Sequence, residues 1–115
     1  MYYKTVAGNA GMTTARVGGV YTSTGSLLGS SVTFTGETSS GWQVQALTTP
    51  VTIAAGGSFL AVVNMRAYVT SNFPSTTVGI FTNLCSYYSY SETISFPTNQ
   101  QCLANRMIDI VYTVA

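Results

Sequence analysis

The sequence predicts an all-β protein: an antiparallel β-sandwich, jelly-roll-like, of about eight short strands. Three observations predict this class. Polar and apolar residues alternate over short stretches, which is the period of a strand with one buried face. Turns rich in Gly, Ser and Thr separate these stretches at intervals of about ten residues. No amphipathic helix is found, so a parallel sheet would lack its crossover connections. At 115 residues, the chain is expected to form one domain, residues 1–115.

The clearest strand pattern lies in residues 21–44. Residues 23–26 (Ser-Thr-Gly-Ser) predict a turn, because Gly accepts a positive φ and hydroxyl groups bond locally. Residues 30–35 predict a strand that places Val32 and Phe34 on one face. A turn followed by such a strand is typical of an antiparallel hairpin.

Residues 36–41 predict a second loop, after which the alternation resumes at Trp42, Val44 and Ala46. Trp42 is the only tryptophan, and its place in this alternation predicts a structural role in the core. Further strands are predicted at residues 2–7, 15–21 with a bulge or a close backbone approach at Gly18 and Gly19, 59–65, 78–81 and 107–114.

Two of these strands have distinctive patterns. Residues 59–65 are almost continuously apolar, which predicts a central strand covered on both faces. The closing strand places Ile108 and Ile110 on one face and Asp109 on the other. Lys4 and Asp109 fall in terminal strands, which often pair in sandwiches, so they are expected to form a cross-strand ion pair. The alternative is an Asp109 that faces solvent.

Composition excludes several classes of partner. Charged residues are 6% of the chain and the net charge is +1, so nucleic acid and anionic membrane surfaces are not expected partners. No apolar run approaches the ~20 residues of a membrane-spanning helix, and the start lacks the apolar region of a signal peptide. Strands rich in Ser, Thr and Tyr are common in secreted and surface-displayed proteins. An extracellular or cell-surface location is therefore expected.

The two cysteines, Cys85 and Cys102, are expected to form a disulfide. Pairing them would close a loop of about 18 residues and stabilise the fold by roughly 3 kcal/mol. The alternative is a pair of buried free thiols. With no histidine and no Cys-x-x-Cys motif, the sequence predicts no metal site and no cofactor.

Eight short motifs run through the chain: Tyr3-Lys4, Gly8-Asn9, residues 23–28, 34–37, 41–43 and 49–51, Phe96-Pro97 and residues 105–112. Together they resemble a bacterial extracellular family known as domain of unknown function 4082. The match runs across nearly the whole chain and implies a secreted or surface β-sandwich, usually one module of a larger protein. Neighbouring modules in such proteins are often adhesive or act on sugars, and the family has no established activity.

The chain departs from that family in two places. Residues 66–72 stand where members usually carry a loop containing histidine. Members also usually begin with one or two further strands. A sandwich lacking a strand exposes an apolar edge that templates another chain, so strand donation between copies is one hypothesis. The alternative is a shortened sandwich in which residues 2–7 form an ordinary edge strand.

Catalysis is not expected. General acid–base chemistry needs a titratable pair in a pocket, and the chain has three carboxylates and no histidine. Glu37 and Glu92 fall in separate predicted loops. No serine lies in a Gly-x-Ser-x-Gly motif, so nucleophilic hydrolysis has no support.

Binding is the better supported class. Flat aromatic rings stack on sugars and amides read their hydroxyl groups, because a tyrosine ring combines apolar area with a polar end. The candidate ligand-binding residues are Tyr87, Tyr88, Tyr90, Asn99, Gln100 and Gln101. The alternative is that the tyrosines cover one face of a sheet.

These observations predict a non-catalytic binding or adhesion module with carbohydrate as the leading ligand class. The alternative function is a self-assembling structural subunit of a surface layer or filament.

Overall fold

The computed structural model describes residues 1–4, 15–65, 71–72, 77–78, 80–82, 84–91, 93–102, 104–105 and 108–114. Eleven strands occur in this part of the chain, and every pairing between them is antiparallel. They are β1 (Tyr2–Lys4), β2 (Val17–Thr22), β3 (Leu27–Thr33), β4 (Gly41–Gln43), β5 (Phe59–Val63), β6 (Ser71–Asn72), β7 (Thr77–Val78), β8 (Phe81–Thr82), β9 (Ser86–Tyr88), β10 (Asn99–Gln101) and β11 (Ala104–Asn105). The predicted all-β antiparallel class is confirmed.

The largest described sheet has the strand order β3-β2-β5. The predicted turn joins β2 to β3, with Gly25 at φ 102° and its amide donating to the Thr22 carbonyl at 3.1 Å. The pairing of β2 with β3 shifts register between Gly18 and Val20, which confirms the predicted bulge. A side chain at Gly18 would collide with the ring of Phe34, since a Cβ there would lie 2.9 Å from it.

The apolar strand β5 occupies a different place from the predicted one. In the described part of the chain it lies at the edge of its sheet, and its side chains are half-buried. The glycine-containing strand β2 takes the centre instead. Gly18 has no side chain and so admits the ring of Phe34, while Gly19 admits the side chain of Leu27. Both glycines are therefore buried at the centre of the sheet.

The two ends of the described chain meet. Tyr2 forms an isolated antiparallel bridge with Ile108, and the Asp109 amide donates to the Met1 carbonyl at 2.9 Å. Beyond that bridge, residues 109–114 form no strand, unlike the predicted closing strand. Ile110 is half-buried and Asp109 exposed, as the alternation predicts. Residues 5–7 and 107 of the predicted terminal strands lie outside the described residues.

The described apolar core is small and mostly aromatic. It consists of Tyr2, Val20, Tyr21 and Phe34, and Tyr2 is fully buried. The rings of Tyr2 and Phe34 meet edge to face, with centroids 5.0 Å apart. This contact joins β1 to the segment that follows β3, so the first strand is part of the core.

Trp42 does not lie in the core, so its predicted place there is corrected. Its side chain is 44% exposed, whereas its neighbour Gln43 is 4% exposed. Side chains alternate between the faces of a strand, so burying Gln43 turns Trp42 outward. Trp42 instead packs edge to face against Tyr3, its partner in the β1–β4 ladder, at 5.6 Å.

The described sheets do not close onto one another. An open cleft of about 2120 Å³ borders β5 and residues 80–82, 84–91 and 108–114. Asp109 is the one carboxylate among the described residues that line it. No helix long and apolar enough to cross a membrane occurs in the described part of the chain.

Candidate functional site

The candidate site is a two-stranded hairpin built from β9 and β10. Their register places Tyr88 opposite Asn99, Tyr87 opposite Gln100 and Ser86 opposite Gln101. Aromatic residues favour strands because their rings pack on the pleated surface. The structure thus brings the predicted tyrosines and amides into one element.

A disulfide closes the open end of this hairpin. Cys85 and Cys102 are 17 residues apart in sequence, and their Cα atoms lie 4.1 Å apart. The predicted pairing is confirmed, and the alternative of two free thiols is excluded. Beside the bridge, the Ser86 hydroxyl donates to the Gln101 carbonyl at 2.7 Å. These contacts hold the two strands in register next to the tyrosines.

The loop that connects β9 to β10 rests on the large sheet. Phe96 packs against the buried ring of Tyr21, with centroids 6.0 Å apart, and Pro97 is buried. A Cβ at Gly25 would lie 3.5 Å from the Phe96 ring, which places that ring under the β2–β3 turn. The hairpin is therefore anchored to the core through its connecting loop.

The register divides the six predicted ligand-binding residues between the two faces of the hairpin. Tyr88, Asn99 and Gln101 share one face, because residues two apart on a strand and residues paired across a ladder point the same way. Tyr87 and Gln100 lie on the opposite face. The predicted surface is thus two separate surfaces.

Tyr90 joins the first of these faces. Its ring meets the ring of Tyr88 edge to face, with centroids 5.7 Å apart and planes at 78°. Tyr90 is 94% exposed, the most exposed large hydrophobic residue described, whereas Tyr88 is half-buried. Asn99 and Gln101 are exposed beside them. We call Tyr88, Tyr90, Asn99 and Gln101 the tyrosine face.

The opposite face of the hairpin is tied to the disulfide. The side-chain amide of Gln100 donates to the Tyr87 hydroxyl at 3.1 Å and lies 3.2 Å from the sulfur of Cys85. The Gln100 amide nitrogen thus contacts both the Tyr87 hydroxyl and the disulfide. These contacts link β9 to β10 on the face of the hairpin opposite the tyrosine face.

The hairpin is almost without charge. Residues 85–102 contain no lysine or arginine, and their one acidic residue is Glu92, which lies outside the described residues. No group of three metal-ligating side chains occurs in the described part of the chain. A ligand on the tyrosine face would therefore meet aromatic rings, amides and hydroxyl groups.

A second polar cluster lies at β1, away from the predicted site. The Tyr2 hydroxyl donates to Oε1 of Glu37, and the Lys4 ammonium lies 3.8 Å from the same oxygen. Burial and the neighbouring Glu37 carboxylate raise the pKa of Tyr2, against an opposing effect of Arg16. The Glu37 carboxylate therefore contacts two side chains of β1.

The ion pair expected between Lys4 and Asp109 is not formed. The Tyr2–Ile108 bridge sets Asp109 opposite Met1, three residues along the strand from Lys4 and so about 10 Å away. Lys4 pairs with Glu37 instead. The expected pairing of the terminal strands is present as one bridge, but its register was not predicted.

Gln43 is a buried residue that the sequence pattern did not identify. Its side-chain oxygen accepts from the Thr38 amide at 2.8 Å, and its side-chain nitrogen donates to the Thr38 hydroxyl at 2.8 Å. The same nitrogen donates to the carbonyls of Ser40 and Gly41. These bonds shape the loop that presents Glu37. The alternation in β4 could have identified Gln43 if residue 43 had been assigned to the buried face. The apolar side chain of Trp42 led to the opposite assignment.

The described architecture is that of an antiparallel all-β domain with a disulfide-closed hairpin. A sequence model of the family described as "Domain of unknown function (DUF4082)" matches residues 1–106. The chain belongs to this family, and the resemblance inferred from its motifs is confirmed. Comparison with the curated proteins and with the solved structures finds no match.

Proposed function

We propose that this domain is a non-catalytic extracellular binding module and that the tyrosine face binds carbohydrate. The observation that carries the proposal is the exposure of Tyr90. A ring that is 94% exposed contributes little burial to the fold. It is held against Tyr88 on a hairpin that a disulfide and a core contact both restrain.

The chemistry of the tyrosine face suits a sugar. The apolar C–H face of a pyranose packs against a tyrosine ring, which presents a large apolar area with few rotatable bonds. The amides of Asn99 and Gln101 carry donors and acceptors that match sugar hydroxyls. The restrained hairpin reduces the ordering cost of binding, because its strands are already fixed in the free protein.

Location and finer topology belong to the same proposal. The Cys85–Cys102 disulfide supports an oxidising compartment, since such bonds persist in secreted and surface proteins. We further propose that the described sheets stack as a jelly-roll-like β-sandwich. In this proposal, the domain adheres to a cell surface because the exposed hairpin binds glycans there.

A glycan array identifies a ligand, and calorimetry then measures its affinity for variants of the domain. Two amide residues that are neighbours in sequence provide a test and a control. Asn99 lies on the tyrosine face and Gln100 on the opposite face. We expect Tyr90→Ala and Asn99→Ala each to weaken binding about tenfold, which corresponds to about 1.4 kcal/mol. Gln100→Ala should bind like the native chain. Tyr90→Phe should also bind, because it keeps the ring.

Two results would contradict the proposal. One is an array on which the folded native domain binds no glycan. The other is glycan binding that Tyr90→Ala and Asn99→Ala leave unchanged. Circular dichroism of each variant controls for loss of the fold.

A further inference from the structure

One edge of β5 is unpaired among the strands that the structure describes. One edge of the strand pairs with β2 from Gly18 to Thr22. Within the described part of the chain, no strand pairs with its other edge. An edge of this kind offers a row of amide and carbonyl groups to a further strand.

Nothing in the sequence of β5 protects this edge. The strand reads Phe-Leu-Ala-Val-Val, with no lysine, proline or glycine. No charged residue occurs between Glu37 and Arg66. Edge strands are normally protected from pairing by charged side chains, proline or bulges. β5 has none of these features, although five half-buried apolar side chains line it.

The backbone of β5 determines which residues are available. The Asn64 amide donates to the Val17 carbonyl at 3.1 Å, so residue 64 points toward β2. Backbone groups alternate in direction along an antiparallel strand. Residues 60 and 62 therefore also face β2. The amides and carbonyls of Phe59, Ala61 and Val63 point away from the sheet.

We propose that a second copy of this chain pairs with β5, antiparallel, about a two-fold axis at Ala61. In this register Ala61 faces Ala61 of the second copy, and Phe59 faces Val63. All three outward-facing residues then fall in hydrogen-bonded pairs, each exchanging two bonds. The result is a continuous sheet with the order β3-β2-β5-β5-β2-β3.

The self-complementarity of β5 favours a second copy over another partner. A two-fold interface places the same strand of each copy against the other, so a net charge on that strand would repel its copy. β5 carries no charge, and every cross-strand pair in this register is apolar. The smallest side chain, that of Ala61, lies on the axis, where two copies approach most closely. Closed two-fold pairing also leaves no further β5 edge exposed.

Analytical ultracentrifugation of the native chain over a range of concentrations tests this pairing. We expect a reversible dimer that Ala61→Pro abolishes, because proline removes the outward amide at the axis. Ala55→Pro is the matched control. Gly57 donates to the Ala54 carbonyl across this turn, with Gly56 at φ 76°, and proline is favoured at the position of Ala55.

Cysteine cross-linking tests the register independently of whether proline is tolerated. Under mild oxidation, Ala61→Cys should form a covalent dimer on a non-reducing gel, because Cα atoms in a hydrogen-bonded pair lie about 5.5 Å apart. Ser58→Cys, just outside the paired region, should not. A native chain that stays monomeric at the highest concentration overturns the proposal. So does a dimer that Ala61→Pro leaves intact and Ala61→Cys does not cross-link.

Discussion

The hydroxyl of Tyr2 donates a hydrogen bond to the carboxylate of Glu37, linking the first strand to the loop before β4. Tyr2 is fully buried. Its ring packs on Phe34, while its hydroxyl reaches a carboxylate that Lys4 also contacts. One side chain thus combines the core contact with the polar contact that fixes β1.

Tyr2→Phe isolates the polar contribution, because the ring and its packing on Phe34 remain. We expect a loss of about 1–3 kcal/mol in the free energy of unfolding, the usual range for a hydrogen bond to a charged partner. Urea denaturation followed by circular dichroism measures it. Tyr3→Phe on the same strand is the control and should change stability much less. Equal effects of the two variants would contradict the role assigned to Tyr2.

Alkaline pH should weaken the fold through the same contact. Burial and Glu37 raise the pKa of Tyr2 above its ordinary value of 10.0, so the folded state retains the phenolic proton more tightly than the unfolded state. Stability is therefore fully present below about pH 10 and falls as the pH rises further. Denaturation midpoints between pH 8 and 12 should fall less steeply in Tyr2→Phe than in the native chain. Parallel slopes would count against the shifted pKa.

Alternation and turn residues were sufficient to predict the class, the β2–β3 turn and the bulge, because these depend on neighbours in sequence. The disulfide was also predictable, since Cys85 and Cys102 are the only cysteines. The tyrosines and amides of the candidate site could be identified as one group because they all lie between these two cysteines.

Other features depend on register, which the sequence pattern leaves open. A shift of one residue in the β4 pattern exchanges Trp42 for Gln43 as the buried side chain. The division of the tyrosines between two faces follows from which residues pair across β9 and β10. The partner of Lys4 depends on the bridge between Tyr2 and Ile108. Each is a contact between distant residues that local periodicity does not specify.

Removing the disulfide should destabilise the domain by about 3 kcal/mol, the expected effect of opening a loop of this length. The double variant Cys85→Ser, Cys102→Ser tests this by urea denaturation. The native chain under reducing conditions should show the same loss. Ser95→Ala in the connecting loop is the control, because Ser95 is exposed. Unchanged stability in the double variant would show that the bridge does not restrain the unfolded chain.

Trp42 provides a direct test of the β4 register. Its side chain is 44% exposed, so we expect acrylamide to quench its fluorescence readily in the folded protein. Trp42→Ala should cost less stability than Phe34→Ala, because truncating a buried aromatic residue costs about 3–5 kcal/mol. Emission resistant to quenching, or a larger loss at Trp42 than at Phe34, would place the indole in the core.

Gln43 is expected to stabilise the contact between Tyr2 and Glu37 indirectly. Its side chain bonds Thr38 and the carbonyls that follow, so it shapes the loop that carries Glu37. Gln43→Ala should cost about 1–3 kcal/mol, because it leaves part-buried groups of the loop without partners. Gln45→Ala is the control, since its bonds to Thr35 are exposed, and exposed substitutions usually change stability by less than about 0.5 kcal/mol.

The double variant Tyr2→Phe, Gln43→Ala tests whether the loop transmits this effect. If Gln43 positions Glu37 for Tyr2, its loss already weakens the Tyr2 bond. The sum of the stability losses in the two single variants should then exceed the loss in the double variant by about 0.5 kcal/mol or more. Urea denaturation of the four proteins in this cycle gives the coupling. Strictly additive losses would mean that Gln43 stabilises its own loop independently of Tyr2.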